Sequence, residues 1–124
     1  MRHPFLIPAV ALAAAAACGG SDSNGPPNNP PAADVSVVSG AFNKGFQAYA
    51  PDTFAVSLGA GGTVTWRNDD GIGHTVTDTT VANAFSIGLA GRNDTASVVF
   101  AAVGEYPYKC SIHDTMRGLV IVKP

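Results

Sequence analysis

The residues best suited to chemistry in this sequence lie near its C-terminus, in the segment Cys110-Ser-Ile-His113-Asp-Thr-Met116. A thiol, an imidazole and a thioether follow one another there with two residues between each pair. Thiolate and neutral imidazole bind copper strongly, and one Cys and two His with a distant axial Met form the copper sites used in electron transfer. The second histidine would be His74, which lies 36 residues before Cys110 and must therefore come from a different strand.

The counts of these residue types favour a single shared site. The chain contains three His, two Cys and two Met. Met1, His3 and Cys18 fall in a segment that we interpret below as a processed N-terminus, so the remainder holds two His, one Cys and one Met. Each has an ordinary alternative, since Cys110 could be a small buried hydrophobic residue and Met116 could fill a gap in the core. All four together, in a chain with only 13% charged residues, favour a metal site.

The N-terminus has the features of an export signal. Residues 1–17 begin with a short basic end and continue as an apolar, Ala-rich stretch, which is the build of a secretory signal peptide. The following Cys18 resembles the lipidated first residue of a bacterial lipoprotein, although Ala15 replaces the usual Leu. The alternatives are ordinary cleavage at Ala-x-Ala and a Cys18–Cys110 disulfide, of the kind found in exported proteins. The disulfide ranks last because it would use the one thiolate available for a metal.

The segment after the signal is predicted to be a tether, and the rest of the chain is predicted to form one domain. Residues 18–33 contain no large apolar side chain, so they cannot bury enough surface to fold and should form a disordered tether. Residues 34–124 form the compact part. Without residues 1–17, six Lys/Arg oppose nine Asp/Glu, a formal charge of −3. The sequence contains no run of basic residues that would indicate nucleic-acid binding.

The compact part has the pattern of an all-β protein. Apolar residues alternate with polar ones over several short segments separated by Gly, Asn and Asp, and no helical period is seen. Seven to eight such strands predict a β-sandwich with Trp66 in its core, and residues 41–50 read as a loop. Pro107 cannot donate a hydrogen bond within a sheet, so we expect an edge or a bulge there. We also expect His74 and Cys110 to be fixed by the two sheets.

Two segments together resemble the small blue copper proteins, or cupredoxins: Thr63-Val-Thr-Trp66-x-Asn68-x5-His74-Thr-Val and Gly104-x-Tyr106-x-Tyr108-x-Cys110-x2-His113-x2-Met116-x-Gly118. The short Cys-x2-His-x2-Met loop is most similar to that of amicyanins, whereas plastocyanins and pseudoazurins have two more residues before the Met. The resemblance implies an eight-stranded Greek-key sandwich with one type 1 copper ion at its end. It assigns His74, Cys110 and His113 to the copper plane, Met116 to the axial position, and a solvent-facing ring edge to His113.

One residue departs from the cupredoxin pattern. The family often has Asn directly after the first His ligand, where it holds the ligand loop by hydrogen bonds, and this chain has Thr75. A hydroxyl can make one such bond to the Cys110–Ser111 segment but lacks the second donor of an amide. Because hydrogen bonds of this kind orient ligands and tune the metal, Thr75 bears on the reduction potential and rigidity of the site.

The function implied is one-electron transfer with copper cycling between Cu(I) and Cu(II), and not catalysis. Copper enzymes of this fold need further histidines for a second copper centre, and once two are used none remain. The alternative is a periplasmic copper carrier or storage protein with the same ligands. Zinc also accepts Cys and His, but a thioether is a poor zinc ligand and copper binds this set more tightly.

The partners implied are a redox donor and a redox acceptor, met by a monomer in the periplasm or cell envelope. A membrane would be contacted only through a lipid on Cys18. Around His113, an exposed apolar patch could form from Ile72, Ile112 and Leu89, with the core as the alternative place for each. The neighbouring carboxylates read as solvated loop residues: Asp69, Asp70 and Asp114.

Overall fold

The computed structural model describes residues 30–124, and the predicted signal peptide, Cys18 and most of the predicted tether lie outside the described residues. Within 30–124 there is no helix long and apolar enough to cross a membrane. The described part contains nine strands: β1 Val35–Val37, β2 Tyr49–Ala50, β3 Thr53–Ser57, β4 Thr63–Asn68, β5 His74–Asp78, β6 Ser86–Leu89, β7 Thr95–Val99, β8 Gly104–Lys109 and β9 Arg117–Lys123. Three short 3₁₀ turns complete it: Ala41–Asn43, Gly45–Gln47 and Leu58–Ala60.

The strands form two sheets, which confirms the predicted all-β sandwich. One sheet has the order β2-β1-β4-β7 and the other the order β3-β9-β8-β5-β6. The pairs β1–β4 and β3–β9 are parallel, and the remaining neighbours are antiparallel. The structure has nine strands where seven to eight were expected. Part of the difference is β2, a two-residue strand that pairs with β1 inside a segment expected to be a loop.

Alternation along the strands places the core between the two sheets. In β9 the buried residues Gly118, Val120 and Val122 alternate with half-buried ones, and β4 and β5 show the same period of two. Successive side chains of a strand point to opposite faces, so each of these strands turns one row of buried residues inward. The core cluster includes one or more residues from every strand except β3 and β7. Trp66 is fully buried within it, as predicted.

An aromatic cluster connects the two sheets beneath one end of the sandwich. The Trp66 indole N–H donates to the Tyr108 hydroxyl at 3.2 Å, and the Tyr108 ring meets the Tyr49 ring edge-on with centroids 4.8 Å apart. The Tyr49 hydroxyl donates to the Thr75 carbonyl at 2.7 Å. Burial raises the pKa of both tyrosines, so their hydroxyls stay neutral. At Gly118 a side chain would overlap the Tyr108 ring, so this position needs glycine for close packing.

Pro107 lies where one side of β8 loses its partner strand. The pairing of β8 with β5 stops at Tyr108, and beyond it the Pro107 carbonyl accepts from the main-chain N–H of Thr79 at 3.0 Å. A residue in an extended strand directs its N–H and C=O to the same side. The missing N–H of proline therefore faces away from β9, and the β8–β9 ladder loses no hydrogen bond. Strand β8 lies between β9 and β5 and is not an edge strand, so the predicted edge holds only locally, where the pairing with β5 has ended.

Four strand ends meet at the same end of the sandwich. There β4 ends at Asn68, β5 begins at His74, β8 ends at Lys109 and β9 begins at Arg117. The connection from β8 to β9 is the segment 110–116, which carries three of the four predicted ligands. The fold thus brings the two ends of the motif together although 36 residues separate His74 from Cys110.

Candidate metal centre

His74 supplies the strand-borne half of the site. It is the first residue of β5, pairs with Leu89 of β6 and has only 1% of its surface exposed. Its ring nitrogen Nδ1 lies 3.9 Å from the sulfur of Cys110. Strand β5 lies between β6 and β8; His74 itself pairs with β6, and the pairing with β8 begins at Thr77.

Cys110 lies directly after β8, in the same sheet as His74. Strands β5 and β8 are neighbours with Thr77 opposite Lys109, and the main-chain N–H of Thr75 donates to the Cys110 sulfur at 3.3 Å. The expectation that two different sheets would fix His74 and Cys110 is therefore wrong. Antiparallel pairing of one sheet suffices, because it places the start of β5 beside the end of β8.

The ligand loop is closed by its own main chain. The Cys110 N–H donates to the Met116 carbonyl at 3.3 Å, and the Met116 N–H donates to the His113 carbonyl at 3.1 Å. This folding brings Nδ1 of His113 to 3.7 Å from the Cys110 sulfur and leaves Met116 fully buried. The Cys110 thiol is likewise buried and is not in a disulfide within the described part of the chain.

The three ligand atoms converge on one point. The sulfur of Cys110 and one nitrogen from each of His74 and His113 all lie within 4.8 Å of one another. A metal ion bound at about 2.0–2.3 Å to sulfur and nitrogen in a plane would separate those atoms by roughly 3.7 Å. The two sulfur–nitrogen distances of 3.7 and 3.9 Å fit that spacing. One sulfur with two imidazole nitrogens is a donor set suited to copper.

Thr75 holds the ligand loop through its hydroxyl group, as expected. Its hydroxyl accepts from the main-chain N–H of Ser111 at 2.8 Å, which confirms the predicted single bond to this segment. The Thr75 hydroxyl also lies 3.0 Å from the Ser111 hydroxyl and 3.0 Å from that of Thr77. A short row of hydroxyl groups thus replaces the second bond that an amide would make.

Asp70 is part of the site, and the prediction that it is a solvated loop residue is wrong. It is only 8% exposed, and its Oδ2 lies 2.8 Å from Nε2 of His74. Burial alone would raise its pKa, but hydrogen bonds from His74 and from the main-chain N–H groups of Gly40 and Gly71 lower the pKa to about 2. Its neighbour Asp69 forms an ion pair with Arg67 at 2.6 Å, and this pairing lowers the pKa of Asp69.

The outer side of the site is apolar and open. His113 is half-buried, and its ring centroid lies 6.2 Å from that of Phe42. Phe42, Ile72 and Ile112 are 48%, 45% and 61% exposed, and we call these three residues the apolar rim. Leu89 is fully buried, so its place is the core and not the expected patch.

Charges border the ligand loop on its exposed side. Lys109 contacts the carboxylate of Asp114 at 2.7 Å, and Arg117 approaches the same oxygen at 3.8 Å. The hydrogen bond from Lys109 lowers the pKa of Asp114. Asp114 is exposed, as predicted, and water and salt screen such surface pairs.

Sequence reasoning missed Asp70 and Phe42. Asp70 stands four residues before His74, and a carboxylate so close to a metal-binding histidine is a signal that could have found it. No sequence signal of this kind marks Phe42, which lies 71 residues before His113. Its position depends on the hydrogen bond from the Thr115 hydroxyl to the Phe42 carbonyl at 2.9 Å.

Comparisons with known proteins agree with this geometry. Residues 36–123 match the copper binding proteins of the plastocyanin/azurin family. A purple cupredoxin from Nitrosopumilus maritimus is 30% identical, with a TM-score of 0.60 over 72% of this chain and 97% of that one. An amicyanin mutant in its reduced state is 28% identical, with a TM-score of 0.53 over 60% of this chain and 72% of that one.

Another amicyanin mutant, in its reduced Cu(I) form, is 29% identical, with a TM-score of 0.50 over 58% of this chain and 70% of that one. A search of curated proteins found no match. The family match covers nearly all of the described residues, and the sulfur and two imidazoles of the site suit the copper of that family. The chain belongs to the plastocyanin/azurin family of copper-binding proteins, the cupredoxins.

Proposed function

We propose that this protein carries single electrons on one type 1 copper ion, which His74, Cys110, His113 and Met116 would hold. The observation that supports this most is the approach of both Nδ1 atoms to the Cys110 sulfur at 3.7 and 3.9 Å. Bound copper would supply the one-electron Cu(II)/Cu(I) couple. Met116 is assigned by its complete burial and by its main-chain bonds to Cys110 and His113.

The protein's contribution is a geometry that changes little between the two oxidation states. His74 is held in a sheet, the Cys110 sulfur accepts from the Thr75 N–H, and the loop is closed by the bonds at Met116. Burial of three of the four side chains would keep water away from a bound metal. A ligand set fixed in this way does not have to reorganise when an electron arrives or leaves.

His113 is the proposed path for the electron to and from partner proteins. Of the proposed ligands it alone is not fully buried, and Phe42 and Ile112 of the apolar rim lie beside it. Small apolar interfaces suit redox encounters, because a weak complex releases its product quickly. We therefore propose that a redox protein donor and acceptor both dock on the apolar rim, and that the protein acts as a monomer.

We further propose that the protein works in the bacterial cell envelope and is not an enzyme. The support for export is the sequence of residues 1–17, and the support for a lipid anchor is Cys18 directly after five alanines. Mass spectrometry of the protein from its native envelope would detect an acyl group on Cys18. A peptide that starts elsewhere, or an unmodified Cys18, would contradict the anchor.

Electron transfer and copper carriage make different predictions for the apolar rim. Phe42→Ser should slow electron exchange with a soluble c-type cytochrome several-fold in stopped-flow measurements, while the copper spectrum stays unchanged. The matched control is Val103→Ser, which removes an exposed apolar residue just before β8, at the end of that strand farthest from Cys110. Slow exchange in wild type combined with rapid copper delivery to a metal-free oxidase would favour a carrier instead.

A further inference from the structure

Asp70 is a buried carboxylate, and each of its two oxygens makes a hydrogen-bonding contact. Oδ2 contacts Nε2 of His74, and Oδ1 accepts from the main-chain N–H of Gly71, each at 2.8 Å. Within residues 30–124 no Lys or Arg forms an ion pair with Asp70. The His74 ring is the only titratable side chain there that lies within ion-pairing distance of it. A buried carboxylate needs hydrogen-bond donors of this kind, because burial without them is strongly unfavourable.

The carboxylate is held independently of the histidine. The main-chain N–H of Asp70 donates to the side-chain oxygen of Asn68 at 2.8 Å. The amide nitrogen of Asn68 donates in turn to the carbonyls of Ile72 at 2.7 Å and Leu89 at 3.3 Å. Asn68 is fully buried at the end of β4. Asp70 is therefore fixed against β4 and β6, and its position does not depend on the ring that it contacts.

The contact determines which nitrogen of His74 is available to a metal. A neutral imidazole carries one proton, and the hydrogen bond made by one nitrogen decides where that proton stays. A carboxylate can only accept, so Nε2 must hold the proton and the lone pair remains on Nδ1. That is the nitrogen 3.9 Å from the Cys110 sulfur.

We propose that Asp70 is a positioning residue for copper, which fixes the His74 tautomer and favours Cu(II) over Cu(I). A carboxylate behind a histidine ligand makes the imidazole a stronger donor, and its negative charge stabilises the more highly charged ion. The statement about copper rests on the proposed function, whereas the statement about the tautomer does not. No carboxylate lies behind the His113 ring in this way, because within the described residues that ring makes a hydrogen-bonding contact only with the Cys110 sulfur, through Nδ1.

The first test uses the metal-free wild-type protein and needs no variant. Nitrogen-15 NMR of the His74 ring at about pH 9, well above the ordinary histidine pKa of about 6.5, reports which nitrogen carries the proton. We expect the proton on Nε2 and a bare Nδ1. A proton on Nδ1 under these conditions, in a neutral or a charged ring, would overturn the proposal.

The second test compares two neighbouring carboxylates. Asp70→Asn should weaken Cu(II) binding by about 10- to 100-fold, the usual effect of losing such a partner, and weaken Cu(I) binding less. Each tenfold difference between the two affinities raises the midpoint potential by about 59 mV for a one-electron couple. The control is Asp69→Asn, which removes the same charge one residue away, where the carboxylate contacts Arg67 and not His74.

The readouts are chelator competition for each oxidation state and the midpoint potential. Asp69→Asn should change each affinity less than about twofold, because this carboxylate is paired with Arg67 and makes no hydrogen bond to a proposed ligand. Equal affinities and potentials in the two variants would show that Asp70 only shapes the loop, and would refute the proposal. Wild-type protein that bound no copper would refute the proposed function and the copper part of this proposal, while the tautomer result would stand by itself.

Discussion

His74 and His113 direct the same ring nitrogen at the same sulfur atom, yet they belong to different parts of the molecule. His74 begins a strand inside a sheet, is 1% exposed and has a buried carboxylate behind its ring. His113 lies in a loop, is half-buried and has Phe42 and Ile112 of the apolar rim around it. The comparison shows a structural division: the strand half of the site is buried and belongs to a sheet, and the loop half is partly open to solvent.

The largest expected effect comes from removing each ring in turn. His113→Gly and His74→Gly should both lose the colour of the copper protein, because each removes one ligand from the plane. Free imidazole should restore colour to His113→Gly, whose vacated space opens to solvent, but not to His74→Gly, whose space lies inside the sandwich. Absorption titrations with imidazole would measure this. Equal rescue of the two variants would contradict the division between a buried and an accessible half.

A smaller effect is expected where the core supports the strand half. Gly118→Ala would push the new methyl group into the Tyr108 ring, and overpacking of this kind costs about 1–3 kcal/mol of unfolding free energy. Gly88→Ala is the matched control in the same sheet, since nothing lies within 4 Å of its new methyl group. Chemical denaturation of the two metal-free variants would measure the difference. Equal stability would show that Tyr108 can move aside without loss.

The smallest effect is expected away from the site, at the far end of β5. Asp78 accepts hydrogen bonds from the main-chain N–H groups of Thr80 and Ala84 and from the Thr80 hydroxyl, and these lower its pKa although burial opposes them. Asp78→Asn should therefore reduce the free energy of unfolding at neutral pH by about 1 kcal/mol, the difference between charged and neutral hydrogen bonds.

The pH dependence of that effect follows from the direction of the shift. Because the folded-state pKa of Asp78 lies below the ordinary value of 3.8, its carboxylate stabilises the fold above that pH. The contribution is lost as the pH falls through the lowered pKa. The gap between wild type and Asp78→Asn should thus close in acid. Asp52→Asn, at an exposed carboxylate, is the control, and a gap that stayed constant with pH would contradict the assignment.

Sequence patterns predicted the regular part of the fold because that part depends on local alternation. The strands around Phe54, Trp66 and Ile87 lie where their period of two placed them. Strand β2 was missed because two residues have no period, and it exists only through pairing of Tyr49 and Ala50 with Val37 and Ser36. The 3₁₀ turns before it were missed for a related reason, since the segment 41–47 packs against the ligand loop, which is distant in sequence.

The proposed ligands could be named from their chemistry, but their surroundings could not. Residue type and count pointed to His74, Cys110, His113 and Met116 without any knowledge of the fold. The burial of Asp70 depends on the side chain of Asn68, which turns the loop back between β4 and β6. Exposure of a residue in a Gly- and Asp-rich loop is set by such contacts and not by composition.

The measurement that tests the central claim most directly is the visible absorption spectrum of the metal-free protein mixed with Cu(II), with Cys110→Ser as the control. We predict an intense blue or green colour in wild type, from charge transfer between the Cys110 sulfur and the copper, and none in Cys110→Ser. A colourless or pale wild-type product, or one that Cys110→Ser reproduces, would contradict a copper ion bound by this sulfur and the two imidazoles.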